Sequence, residues 1–175
     1  MKNNTKNISQ LALDNSERFC VFRSGEGWFG IPALAVRSIV PRPEITITPQ
    51  SDPILKGLCH LQNEFFSVIS LQALPQIQYD TSPESEQQLL IIHGPQGPWG
   101  LLIDQAIGLA ALETSISAIS NRQDDWSKVI VGSASFENQV LQILEPAALY
   151  HYTSNLLGMF WKHSEHPISQ LTCNL

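Results

Sequence analysis

The chain has 175 residues, 43% of them hydrophobic and 15% charged, with 16 acidic and 10 basic side chains for a net charge of −6. That much apolar material builds a core, which excludes intrinsic disorder, and the length suits one domain or two small units packed as one. The acidic balance and the lack of clustered Lys or Arg exclude an electrostatic nucleic-acid binder, and no run of about 18 apolar residues offers a membrane span.

Residues 1–17 are polar and lack the apolar stretch of a secretory signal, so they read as a flexible leader, with order starting at Phe19. From there short apolar runs alternate with Gly, Pro and Asn, the pattern of an all-β chain. Residues 19–40 hold an apolar strand, the turn Gly25-Glu26-Gly27, and a second strand opening Phe29-Gly30-Ile31. Pro32 to Ala35 reads as one helical turn, because proline suits a first helical position. Val36 to Thr48 returns to strand, interrupted by Pro41 and Pro43, with a half-buried alternation over Ile45-Thr46-Ile47-Thr48. Residues 57–74 form another hairpin whose turn, Gln62-Asn63, puts Asn where a type I′ turn needs positive φ.

The polar stretch Gln76 to Gln88 reads as a linker between two halves. The pattern then starts again. Residues 89–110 repeat 19–40 at an offset of 70, with Trp99-Gly100-Leu101 on Phe29-Gly30-Ile31. Residues 132–149 repeat 57–74 at an offset of 75, with Gly132 on Gly57 and the turn Glu137-Asn138 on Gln62-Asn63. Two collinear matches at nearly equal offsets indicate a structural duplication. In the second half, Ile107 to Ile119 takes the part of the Val36–Thr48 strand, and Asn121 to Lys128 is a polar loop. Each half, about 19–75 and 88–150, therefore has about five twisted strands. Such strands curl into a small barrel to remove exposed edges. Beyond them, Pro146 to Lys162 carries apolar residues at 149, 152, 156, 157, 160 and 161, spaced as in an amphipathic helix that packs on its own domain or docks a partner. Residues 151–175 form the rest of this helix and a tail.

Catalysis has little footing. There is no P-loop, no G-x-G-x-x-G, no H-E-x-x-H and no G-x-S-x-G elbow. The prolines of Gly94-Pro95-Gln96-Gly97-Pro98 remove amide donors that a phosphate cradle needs. His163 and His166 lie in a polar tail with no third ligand beyond Glu165. Asp104 follows an apolar strand and suits a cap on the next turn. Trp28 and Trp99 suit packing. Cys20, Cys59 and Cys173 are odd in number and form no C-x-x-C, which fits small hydrophobes in a reducing compartment. No metal, nucleotide or other cofactor is expected.

The segments FCVFRSGEGWFGIPALAVRSIV, ILKGLCHLQNEFFSVISLQAL, GLLIDQAIGL and VGSASFENQVLQILEPAAL resemble, in order, the conserved segments of the CheW family, adaptor domains of bacterial chemosensory arrays. The likeness covers residues 19 to about 150. It implies an all-β fold of two small five-stranded barrels and a non-enzymatic adaptor. Its implied partners are the cytoplasmic tip of methyl-accepting chemoreceptors and the regulatory domain of a CheA-type histidine kinase. It implies a cytoplasmic protein recruited to membrane-associated arrays, without nucleic acid or membrane insertion of its own. Receptor helices would lie in an apolar groove between the barrels, and the family positions at or near it fall on Val36, Ile39, Gly57 and Leu61, with Gln62 beside them. Gly57 would permit close backbone approach. Kinase contacts are not assigned. The sequence departs from the family at Gln62-Asn63, where relatives carry Arg-Gly, and at Ser38, Ser67 and Ser70. Gln62 cannot make a charge-assisted bidentate bond. These departures fit a divergent member, such as the PilI-type adaptors of twitching motility. The alternative is a degenerate interaction module serving a pilus or regulatory partner without a receptor.

Overall fold

Alternate residues of β1 (Arg18–Ser24) enter different cores. Phe19 and Val21 point one way, into a cluster with Leu141 and Ile143, while Cys20 and Phe22 point the other, into a larger cluster with Trp99 and Leu101. Side chains alternate along a strand, so a strand covered on both faces reads as an unbroken apolar run. The same rule governs β6 (Gln88–Ile92): Leu89 and Ile91 enter a third cluster with Phe66 and Val68, and Leu90 and Ile92 join the larger one.

The computed structural model describes residues 18–49, 51–74, 77, 86–116 and 125–164. The expected leader 1–17, most of the expected 76–88 linker, residues 121–124 of the polar loop and the tail from 165 lie outside the described residues. The strands are β1, β2 (Gly27–Pro32), β3 (Val36–Pro41), β4 (Leu55–Leu61), β5 (Glu64–Ser70), β6, β7 (Trp99–Ile103), β8 (Gln105–Ala111), β9 (Ser115–Ile116), β10 (Ile130–Phe136) and β11 (Gln139–Leu144). Helix α1 (Pro146–Ser164) follows, and among the described residues short 3-10 turns occupy Ala33–Ala35, Leu71–Ala73 and Asp125–Lys128.

These strands form a six-stranded sheet, β8-β1-β2-β11-β10-β9, and a five-stranded sheet, β3-β6-β7-β5-β4. Neighbours run antiparallel except β2 with β11 and β5 with β7, which are parallel. The two orders are the same once each strand is replaced by its repeat. Gly30 pairs with Val21 and Ile143, and Gly100 pairs with Ile91 and Val68, the positions 70 or 75 residues away. Gly57 pairs with Val68 as Gly132 pairs with Ile143. Even the bulges match: β3 slips between Val36 and Ser38, and β8 slips between Gly108 and Ala106. Each sheet therefore draws strands from both halves of the chain. The chain changes sheet at Pro32–Val36 and at Ile103–Gln105.

Closed barrels were expected, and here the structure corrects the sequence. Among the described residues both ladders stay open, ending at β8 and β9 in one sheet and at β3 and β4 in the other. The five-stranded sheet still curls. The Arg37 guanidinium of β3 lies 2.6 Å from the Glu64 carboxylate at the start of β5. Val40, Ile45 and Leu61 pack on one cluster inside the curl. What fails is the last ladder. Pro41 and Pro43 lack the N–H donors that would carry it, so the expected strand over Ile45–Thr48 shrinks to one bridge, Thr46 with Leu58. The two-residue β9 beside Gly132 is its equivalent in the other sheet.

The hairpin turns follow their sequence. Gln62 and Asn63 have φ of 49° and 66°, and Glu137 and Asn138 have 46° and 64°. Positive φ at both central positions is what a type I′ turn requires. Helix α1 begins at Pro146, and the Glu145 carboxylate accepts the backbone N–H groups of Ala147 and Ala148. Leu149, Tyr150, Tyr152, Leu156 and Leu157 pack against the core between the sheets, so the helix docks on its own domain. The side chains of Phe160 and Trp161 lie outside the described set.

Candidate functional site

The apolar side chains left in water outline the surface available to a partner. Leu34, in the turn between β2 and β3, is 97% exposed. It is the crossover residue at which the chain leaves one sheet for the other. Beside it, Ala35 and Val36 are half-buried against the core between the sheets, as is Leu55 at the start of β4. Ile39, further along the edge strand β3, is 39% exposed. Leu34, Val36 and Ile39 thus form one apolar strip along the seam and the adjoining free edge. In the sequence Leu34 reads as part of a helical turn and carries no mark of a site. The signal it offered was a large apolar residue in a single turn too short to bury it.

The other expected groove residues have the following places. Leu61 stands at the end of β4, paired with Glu64, whose carboxylate meets Arg37 of β3. It is half-buried inside the curled five-stranded sheet with Val40 and Ile45. Phe136, its repeat equivalent, has the same place in the other sheet. Gln62 is the exposed first residue of the following turn. Leu61 packs on the five-stranded sheet's own cluster, whereas Val36 packs on the core between the sheets. Gly57 is buried, with φ of 139°, and a Cβ there would run into the Thr46 carbonyl. The close approach it permits is internal. Thr46 and Leu58 exchange backbone hydrogen bonds of 2.8 and 2.9 Å across it.

A second apolar face lies on the outside of the β4–β5 hairpin. Phe65 is 75% exposed and Leu58 45%. Exposed His60 pairs across the hairpin with Phe65, their ring centroids 4.7 Å apart. Val140, the repeat equivalent of Phe65, is also solvent-facing on β11, and Leu109 repeats the exposure of Ile39.

None of the expected polar candidates assembles a reaction centre. Asp104 does not cap its own turn. Its Oδ2 accepts the Gly25 N–H at 2.7 Å, and its Oδ1 accepts from Gln72 Nε2 at 2.6 Å. Burial raises the thiol pKa of Cys20, and likewise of Cys59, where a backbone hydrogen bond partly opposes it. Cys173 and His166 lie outside the described residues. Trp99 and Trp126 are buried, against Tyr150 and Tyr152 respectively, and Trp28 packs on Phe136. Among the described residues no group of three His, Cys, Asp or Glu side chains could hold a metal ion, and no helix is long and apolar enough to cross a membrane.

A family model described as the CheW-like domain matches residues 18–153, from the first residue of β1 into α1. No curated protein matches the chain in sequence. Among solved structures, the scaffolding protein TtCheW from Thermoanaerobacter tengcongensis superposes with a TM-score of 0.67 at 17% identity, covering 77% of this chain and 88% of that one. At that identity the likeness is one of fold.

Proposed function

The chain belongs to the CheW-like domain family, and on that premise we propose that it is a non-enzymatic adaptor coupling chemoreceptors to a CheA-type histidine kinase in a chemosensory array. The observation that carries this reading is the family match over both sheets. Exposed Leu34 and Ile39, with half-buried Val36 between them in the chain, support it, because a helix laid in a shallow groove draws affinity from a few apolar contacts. In this reading the methyl-accepting receptor tip occupies the strip. Leu61 and Gly57 act behind it, by holding the shape of the five-stranded sheet. The protein works in the cytoplasm, recruited to receptors at the membrane.

Gln62 supports a second reading. It stands exposed at the hairpin tip where relatives carry Arg, and it offers a partner only a neutral hydrogen bond. A module that has given up its receptor and serves a twitching or other regulatory partner would tolerate that change. Calorimetric titration separates the two. The adaptor binds both the regulatory domain of its cognate kinase and a receptor cytoplasmic hairpin. Binding to the kinase domain without the receptor favours the second reading. Binding to neither overturns both.

A further inference from the structure

We propose that Asp104 is a positioning residue whose carboxylate fixes the angle between the two sheets. Asp104 is the single residue between β7, in the five-stranded sheet, and β8, in the six-stranded sheet. Its two oxygens go to different sheets. Oδ2 accepts the backbone N–H of Gly25, in the β1–β2 turn of the six-stranded sheet, at 2.7 Å. Oδ1 accepts from the Gln72 amide, in the turn that closes β5 of the five-stranded sheet, at 2.6 Å. The Asp104 N–H donates to the Arg23 carbonyl at 3.0 Å, which holds the carboxylate in register with the β1–β2 turn. These partners lie 79 and 32 residues away, so the contact is made by the tertiary fold and not by a local turn.

The core between the sheets is apolar on both sides, from Cys20, Phe22, Phe29 and Ile31 to Leu90, Ile92, Leu101 and Ile103. Apolar burial is non-directional and weakly resists one sheet rotating over the other. Charge-assisted hydrogen bonds are short and directional, and two of them from one carboxylate define an angle. The duplication supplies a control inside the molecule. The residue equivalent to Asp104 at the other crossover is Leu34, 97% exposed, whose side chain has no polar atom to bond either sheet. The Asp104 seam is clasped, and beside it the Ala106 N–H of β8 donates to Gln88 Oε1 of β6 at 2.7 Å, while at the other seam the Leu34 side chain makes no such bond. A change at the clasp is therefore transmitted to the open seam; that this alters docking rests on the adaptor reading above.

The test reads sheet orientation directly and needs no partner. Nitroxide labels are placed at exposed His60 on β4 and exposed Gln139 on β11, in a Cys173→Ser background of the full chain, with buried Cys20 and Cys59 retained. Electron–electron double resonance then gives the distance distribution. Asp104→Leu, which gives this crossover the residue found at the other one, removes both acceptors. It is expected to broaden the distribution about twofold or displace its maximum, as a population spread over more orientations does. Gln72→Leu, which removes one arm, is expected to broaden it less. If Asp104→Leu does not fold, Gln72→Leu alone decides. A distribution that stays the same in the folded variants, even with a lowered Tm, overturns the proposal and leaves Asp104 a simple stabilising contact.

Discussion

At Gly57 one hydrogen atom decides the local structure. Its φ of 139° is a conformation L side chains rarely adopt, and the Thr46 carbonyl occupies the place of a Cβ. Gly57→Ala is expected to cost about 2–4 kcal/mol, since it combines backbone strain with loss of the Thr46–Leu58 bridge; a urea midpoint measures it. Val36 and Leu34 differ in the opposite sense to their neighbourhood in sequence. Val36 is half-buried on the core between the sheets, so Val36→Asp desolvates a charge inside the fold and lowers stability along with any binding. Leu34 is 97% exposed. Leu34→Asp is expected to leave the urea midpoint within about 0.5 kcal/mol of the parent. It should weaken receptor-hairpin binding by about 2 kcal/mol, the size of a lost apolar contact at the centre of an interface. Titration with the receptor hairpin and with the kinase domain reads the difference, and kinase affinity is expected to persist.

Among the elements, the hairpins were the most legible. Asn63 and Asn138, one turn in each half, announce positive φ, and the backbone has it at both. The β4–β5 and β10–β11 pairings follow from those turns, because a two-residue loop sets the register. Helix α1 was legible from its spacing, and its start from Pro146. Its cap was not, since Glu145 acts through a carboxylate that a capping rule based on short side chains passes over. Glu145→Ala removes the acceptor for the Ala147 and Ala148 amides. About 1 kcal/mol of stability is expected to go with it. Far-UV circular dichroism should show fraying of the first turn while Leu149 and Tyr152 keep the helix docked. The strand expected over Ile45–Thr48 was overestimated for a physical reason. Its alternation is that of a strand, but its prolines upstream break the ladder that would have made it one.

For the whole molecule, both free thiols within the described residues are buried, Cys20 in the core between the sheets and Cys59 inside the five-stranded sheet. Burial disfavours the thiolate and raises both pKa values above the ordinary 9.0. A thiol that ionises in the unfolded chain before it does in the folded one stabilises the fold fully below the unfolded pKa. That stabilisation is lost as pH rises from there through the raised folded value. The urea midpoint is therefore expected to be flat in these groups through neutrality and to fall above about pH 9. In the double variant Cys20→Ala, Cys59→Ala this alkaline slope is expected to be shallower, although the variant is less stable at every pH from the space it leaves. An equal slope in both proteins would assign the alkaline loss to other groups.

The order of strands in both sheets was implicit in the duplication, because two copies of one pattern must make the same pairings. Gly30 matches Gly100 and Gly57 matches Gly132 in the sequence alone, and the register places each pair alike. Local rules sufficed there: alternation chooses faces, and glycine and asparagine choose turns. The sequence did not determine which hairpin joins which sheet, because each half supplies strands with the same apolar run and only the crossovers at Pro32–Val36 and Ile103–Gln105 sort them. Nor did it place the surface strip. Leu61 and Val36 look alike as apolar residues near family positions, yet Leu61 packs on the five-stranded sheet's own cluster and Val36 on the core between the sheets. Asp104 likewise reads as a local cap until folding brings Gly25 and Gln72 to its two oxygens. Burial and hydrogen bonding between distant residues are properties of the assembled sheets, and so the core was written in the pattern while the site was decided by the packing.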